Sequence, residues 1–251
     1  MSSPPYDNPA GRLFAFLEKL EIQSHKSRPN NTAMHVLADA LEVDVANPKL
    51  FFSRLADVLD LPAQIREAVE HSPGVPDVFI QFLPEMQQYL QNLVNSLSNP
   101  GVQVPPPTLI VAMNIGNEML SLQSPEQIPD IAELFEVRDD LKQLLDDVVT
   151  ADIDSDLAQF ISNHLHEVLD AIDRFTISGI APIQASISHL VGDLQLKIGT
   201  GAMVERTDAE KKVGSRMWDL VSRLADLVNI TAGSSVISAV VIQALTSGRP
   251  H

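Results

Sequence analysis

The chain has 251 residues, of which 45% are apolar and 20% are charged, and this balance argues against a disordered protein. Its formal net charge of −16, from 33 acidic and 17 basic side chains, disfavours nucleic-acid binding, which normally requires a basic surface. The absence of cysteine excludes disulfides, zinc–thiolate sites, iron–sulfur clusters and thiol nucleophiles. Aromatic residues make up only 5%, so Leu, Val, Ile and Ala must fill the core, as is typical of helix-on-helix packing. We therefore predict an all-α or nearly all-α fold.

The N-terminal residues show no secretory signal. Residues 1–9 contain neither a basic segment nor an apolar one. Together with the lack of cysteine, this predicts a cytoplasmic protein. The Ala-, Leu-, Val- and Asp-rich composition is typical of bacterial proteins.

In the first part of the chain, apolar residues recur at helical spacing. The pattern predicts a first helix over residues 13–20, and Asn47 followed by proline predicts the N-cap of a later one. A longer amphipathic stripe covers residues 79–97. Because Pro84 lies inside this stripe, we expect either a kink or a helix that restarts after Leu83.

Residues 99–107 form the clearest boundary in the sequence. They end in three consecutive prolines, which favour an extended, semi-rigid spacer. We therefore predict an N-terminal helical region over residues 1–98, a linker over 99–107 and a C-terminal helical bundle over 108–251. The alternative is a long surface connection within one domain.

The residues that follow this boundary are ambiguous. Residues 108–113 form a short apolar run, which suits a strand or the start of a buried helix equally well. The sequence Ser124-Pro125-Glu126-Gln127 has the pattern of a capping box and predicts a helix that begins there.

Two regular apolar stripes, over residues 157–175 and 183–198, are separated by Gly179 and Pro182. Neighbouring helices joined by a short turn tend to pack as an antiparallel hairpin, and we expect one here. A second capping box at Thr207 precedes a further amphipathic stretch. The chain is therefore expected to consist of bundle-like helical hairpins.

The C-terminal residues raise the question of a membrane. Residues 227–245 contain no charge, but only 12 of these 19 residues are apolar. A spanning helix requires about 20 predominantly apolar residues. We expect a buried terminal helix, although the β-branched stretch 236–242 also suits a strand.

One group of side chains suggests a metal site. His166, Asp170 and Asp173 share a face of a predicted helix at spacings of four and three residues. A carboxylate–imidazole site here would need further ligands from another helix. We favour the simpler interpretation of a solvated helix face. His164 lies on the apolar stripe, and we expect a hydrogen-bonded core histidine there.

We predict no catalytic residue and no cofactor. The sequence contains no P-loop, no Gly-x-Gly-x-x-Gly, no His-Glu-x-x-His and no Gly-x-Ser-x-Gly motif. Residues 152–156 resemble the opening of an EF-hand calcium loop, but Leu157 and Asn163 stand where glycine and a bidentate glutamate are required. We interpret these aspartates as N-caps of the next helix.

Trp218 and the neighbouring Met217 lie near the edge of the last amphipathic stripe. Tryptophan in such a place belongs either to the rim of a core or to an interface, where aromatic residues and methionine are enriched. These two residues are our candidates for contact with a partner.

Three functions are compatible with these patterns. The first is a non-enzymatic protein-interaction module, an adaptor, regulator or inhibitor that presents helix faces to a protein partner, which acidic charge would direct towards a basic surface. The second is a membrane-associated protein that uses the amphipathic helix 207–228 and the uncharged segment 227–245. The third is a helical-bundle metalloenzyme. We favour the first, and a homo-oligomer is one form that it could take.

Overall fold

A computed structural model of the chain describes residues 7–27, 31–72, 74, 77–199 and 207–230. In these residues all regular structure is helical, and β-pairing is confined to isolated bridges of Thr32 with Pro100 and Gly101. The predicted all-α fold is therefore confirmed. The chain divides into two compact units, of which unit 1 comprises Met1–Gln127 and Thr176–Gly179 and unit 2 comprises Ile128–Phe175 and Ile180–His251.

Unit 1 is built around helix α1 (Pro9–Lys26), which packs against α2 (Ala33–Ala40), α3 (Pro48–Glu70) and α5 (Pro107–Gln123). One cluster of buried apolar side chains fills the space between them. The described helices of this unit are α1 (Pro9–Lys26), α2 (Ala33–Ala40), α3 (Pro48–Glu70), a short 3-10 helix (Asp77–Phe82), α4 (Leu83–Asn95) and α5 (Pro107–Gln123).

Local sequence signals explain several helix starts in unit 1. The side chain of Asn47 accepts a hydrogen bond from the Leu50 amide, which confirms the predicted N-cap before proline. Helix α4 restarts at Leu83 with Pro84 in its first turn, directly after the 3-10 helix. The predicted restart is therefore confirmed, because proline is tolerated in a first turn that needs no amide donor.

The predicted linker, residues 99–107, lies within unit 1, and the division between the units falls after Gln127. Hydrogen bonds account for this difference from the predicted boundary. The Ala33 amide donates to the Asn99 carbonyl at 2.9 Å, and the Tyr89 hydroxyl donates to the Gln103 carbonyl at 2.8 Å. Helix α5, which follows the prolines, then packs on α1.

Unit 2 contains a second cluster of buried apolar side chains. Its described helices are α6 (Ile131–Thr150), most of α7 (Ser155–Ser178), α8 (Ala181–Gly199) and α9 (Asp208–Leu227). Helix α9 packs against α6 and α8. His164 of α7 and Asp193 of α8, which lie on either side of the turn at Gly179, approach to 3.4 Å. This contact agrees with the expected antiparallel hairpin.

The N-caps in unit 2 agree only partly with the sequence predictions. The capping box of Thr207 and Glu210 is confirmed, and Asp154 caps α7 by accepting from the amides of Asp156 and Leu157. The helix start predicted at residues 124–127 is wrong. Helix α6 begins at Ile131, where the side chain of Asp130 caps it.

Two ambiguous segments remain from the sequence analysis. Residues 108–113 form the first turns of α5 rather than a strand. The stretch 236–242 lies outside the described residues, as does most of the uncharged segment 227–245.

Candidate interaction surface

Helix α5 has one face in the core of unit 1. Leu109, Met113 and Leu120 are completely buried in the first apolar cluster. These residues recur at spacings of four and seven positions, so that they share the side of the helix that faces α1.

A buried polar network fixes α5 against the start of α1. The side-chain amide of Asn8 donates to the side-chain oxygen of Asn117 at 2.9 Å and to the Ser121 hydroxyl at 2.9 Å. The Ser121 hydroxyl in turn donates to the carboxylate of Asp7. Because Asp7, Asn8 and Asn117 are buried, their polar atoms must be paired within the protein, and this requirement sets the rotation of α5.

A close approach of α5 to the 3-10 helix adds a second constraint. The ring of Phe79 lies on Gly116, where an added Cβ atom would come within 2.1 Å of its Cζ atom. Glycine in a helix interior costs stability, but here it provides space for the ring. The inner face of α5 is therefore held by both polar and steric contacts.

The opposite side of α5 exposes large apolar side chains. Val111, Ile115 and Leu122 are 58%, 47% and 84% exposed. Met119, which is partly buried, lies beside them at helical spacing. We call these four residues the α5 face, and they form a continuous apolar stripe over three turns of helix.

The α5 face is almost free of charge. Glu118 is the only charged residue in α5, and among the described residues it makes no ion pair. The sequence contains no Lys or Arg between Arg66 and Arg138, whereas the same stretch contains nine Asp or Glu residues. A helix that is apolar on all sides is normally buried on all sides, so the exposure of this face is unusual.

Other exposed apolar side chains are more isolated. Phe52 and Leu59 lie two turns apart on α3 with only Ala56 between them. Val149 and Leu196 are exposed singly on two different helices of unit 2. Single exposed apolar residues are common on protein surfaces and need no partner.

The two residues predicted to contact a partner are buried in unit 2. Met217 is 3% exposed and Trp218 is 7% exposed, and both belong to the second apolar cluster. They line a small cavity together with Phe160 and Leu194. In this placement they serve the core, and their contact with a partner stays a prediction.

The structure places the candidate metal ligands in other interactions. The ring nitrogen Nδ1 of His166 lies 2.7 Å from the Ser162 carbonyl oxygen. Asp170 pairs with Arg174 at 3.3 Å, and Asp173 pairs with Arg138 at 3.4 Å. In the described part of the chain, no three His, Asp or Glu side chains are arranged to hold a metal ion.

The core position predicted for His164 is confirmed, but its surroundings differ from the expectation. The ring packs edge-on against Phe160, with centroids 4.6 Å apart. Its Nδ1 lies 3.5 Å from a Glu167 carboxylate oxygen and has no hydrogen-bond partner among the described residues. Carboxylates of Glu167 and Asp193 therefore flank this histidine in place of a close hydrogen bond.

The basic side chains of α9 bear on the membrane alternative. Arg223 contacts three carboxylates of α6, those of Glu133, Glu136 and Asp140, at 3.0–3.4 Å. Its hydrogen bonds to Glu133 and Glu136 raise the pKa of Arg223. Arg216 likewise pairs with Asp147 of α6. These arginines are therefore engaged within unit 2 rather than free to contact anionic lipid.

No helix in the described ranges is both long enough and apolar enough to cross a bilayer. The amphipathic helix of the membrane alternative, α9, packs its apolar side into the second cluster instead.

Local sequence patterns did not identify the α5 face. The available signal was the single charge in the 17 residues of α5, which is unusual for a helix with a solvated side. No family model, curated protein or solved structure matches the chain. Its function must therefore be inferred from its own residues.

Proposed function

We propose that this protein is a non-enzymatic helical protein-interaction module and that the α5 face binds its protein partner. The observation that carries this proposal is the exposure of Val111, Ile115 and Leu122 on a helix with one charged residue. Adaptors, regulators and inhibitors act through such contacts and need no catalytic group.

The energetics support a docking role for this face. Burying the remaining exposed area of each of these three side chains contributes about 1 kcal/mol or more. Because α5 is already held by Asn117 and Gly116, a partner would meet a preformed surface. Binding to a preformed surface avoids part of the entropy cost of ordering it.

The proposal is tested by affinity capture of the tagged full chain from its native host. The test variant is Val111→Gln/Ile115→Gln/Leu122→Gln, and the matched control is Val149→Gln/Leu196→Gln, which removes exposed apolar side chains from unit 2. We expect the unsubstituted chain and the control to recover one stoichiometric soluble partner. The test variant should lose that partner while keeping its helical circular dichroism signal and melting temperature.

Two results would contradict this function. One is recovery of the same partner in the same amount by the test variant, which would place the contact elsewhere. The other is recovery of the chain alone, or only with membranes, from separately analysed soluble and membrane fractions.

A further inference from the structure

We propose that the partner of the α5 face is a basic amphipathic helix, a segment that has an apolar stripe with Lys or Arg side chains beside it. This inference rests on the proposed function and names the chemistry of the partner. It follows from the shape of the α5 face and from the distribution of charge around it.

The shape of the α5 face suits a helix. Val111, Ile115, Met119 and Leu122 follow one another at spacings of four, four and three residues, and they cover about 17 Å of the helix axis. A second helix with apolar residues at the same spacing can pack its stripe along this ridge. About three turns of the partner would then lie in contact with α5.

The one charge on α5 is negative, and it lacks a partner of opposite sign among the described residues. Glu118 lies at the edge of the stripe and makes no ion pair with the described residues. A cationic side chain on the partner would find a carboxylate at this edge, whereas an acidic partner would find no cation on α5.

The charge of the whole chain favours the same partner. A net charge of −16 attracts a basic segment at long range and raises its rate of association. A second copy of the chain is disfavoured for the same reason, because it brings another 16 negative charges and no cation on α5. Interactions between exposed charges extend over about 8 Å at physiological salt, so the repulsion at such an interface comes mainly from charges close to it, and each copy brings Glu118 there.

The experiment measures the binding of two designed peptides to the full chain by fluorescence anisotropy. The first is a labelled peptide of about 18 Leu and Lys residues with leucine at helical spacing, and the second has the same composition in an order that removes the stripe. The proteins compared are the unsubstituted chain, Val111→Gln/Ile115→Gln/Leu122→Gln, Glu118→Gln and the control Val149→Gln/Leu196→Gln.

We expect the striped peptide to bind the unsubstituted chain and the control equally. The triple α5 variant should raise Kd at least about tenfold, which corresponds to the loss of roughly one buried apolar side chain. Glu118→Gln should raise Kd about twofold at low salt, and this difference should vanish at high salt. The peptide without a stripe should bind weakly and equally to all four proteins.

Three results would overturn the inference. The striped peptide fails to bind at millimolar concentration, or it binds all four proteins with the same Kd, or sedimentation shows a dimer of the chain that only the triple α5 variant abolishes. If capture from the host still depends on the α5 face after any of these results, the proposed function stands and only the basic helix is rejected. If capture is independent of the α5 face, the proposed function itself fails.

Discussion

Each unit contains an arginine that binds carboxylates, but the arginine of unit 1 is buried and that of unit 2 is partly exposed. In unit 1, Arg12 is 2% exposed and binds both carboxylate oxygens of Glu126, at 2.5 and 3.1 Å. In unit 2, Arg223 contacts three carboxylates, yet more than a third of its side chain is exposed. The number of ion pairs alone would suggest that Arg223 contributes more to stability than Arg12. Burial leads to the opposite expectation, because an exposed ion pair is screened by water and salt.

The difference between buried and exposed polar contacts extends to other side chains of the two units. Unit 1 buries Asp7, Asn8, Asn117 and Arg12 where α1 meets α5 and residues 124–127. These contacts specify which surfaces of unit 1 meet. In unit 2 the ion pairs between α6 and α9 lie at the surface, above apolar stripes that already determine how the helices pack. The contact of α1 with α5 in unit 1 therefore depends more strongly on buried polar side chains than the contact of α6 with α9 in unit 2.

The largest effect is expected from substituting the buried arginine. Arg12→Ala removes one partner of a largely buried pair, and we expect it to lower the free energy of unfolding of unit 1 by about 3 kcal/mol. Arg223→Ala, the matched variant in unit 2, should have a smaller effect that decreases further as salt is added. Urea denaturation followed by circular dichroism, with peptide-resolved hydrogen exchange, measures and locates both changes. Equal losses for the two variants would contradict the contrast between the units.

Two glycine-to-alanine substitutions should change the stability of the two units in opposite directions. Gly116→Ala places a Cβ atom 2.1 Å from the Phe79 ring and should destabilise unit 1 by about 2 kcal/mol through overpacking. Gly192→Ala in α8 meets no atom within 4 Å and should stabilise unit 2 by about 0.5–1 kcal/mol through helix propensity. Chemical denaturation of both variants is the measurement. Stabilisation by Gly116→Ala would show that Phe79 is free to move away.

The smallest effect concerns the pH dependence of unit 1. Burial raises the pKa of Tyr89, whose hydroxyl donates to the Gln103 carbonyl. The tyrosine hydroxyl of the unfolded chain ionises near pH 10. The contribution of Tyr89 to the free energy of unfolding is therefore complete below about pH 10 and is lost as the pH rises further. Tyr89→Phe should cost about 1 kcal/mol at pH 7, and less as the pH approaches 11. Urea midpoints of both proteins between pH 7 and 11 provide the test, and a constant difference across this range would refute the prediction.

Local sequence signals predicted the fold more reliably than they predicted the surface. The caps at Asn47 and Thr207 depend on atoms within three residues, so a short pattern was sufficient to find them. The helix start predicted at residues 124–127 failed because a competitor more than 100 residues away, the start of α1, holds this segment: the Glu126 amide donates to the Asp7 carbonyl, and Arg12 binds the Glu126 carboxylate. No pattern within a short window contains that competitor.

The α5 face escaped prediction for a similar reason. Composition shows that α5 is apolar, but only tertiary packing decides which of its apolar residues face α1 and which face water. Trp218 illustrates the reverse case, because its position at the edge of a stripe suited both the core and an interface until packing placed it among buried side chains. Local periodicity assigns a residue to a face of its helix, and the neighbouring helices determine what covers that face.

The short segment Thr176–Gly179 gives unit 1 an unusual relation to protein synthesis. Ile177 is buried in the core of unit 1. Gly179 has a positive φ angle of +74°, and because it has no side chain, its Cα fits beside the Arg12 guanidinium. A nascent chain that has reached residue 127 still lacks this piece. The ribosome adds the remaining 52 residues, up to residue 179, in about 3–10 s at about 5–20 residues per second. During that interval the N-terminal part of unit 1 lacks Thr176–Gly179 and the core side chain of Ile177. Helix α6 and most of α7, which belong to the other unit, are synthesised first.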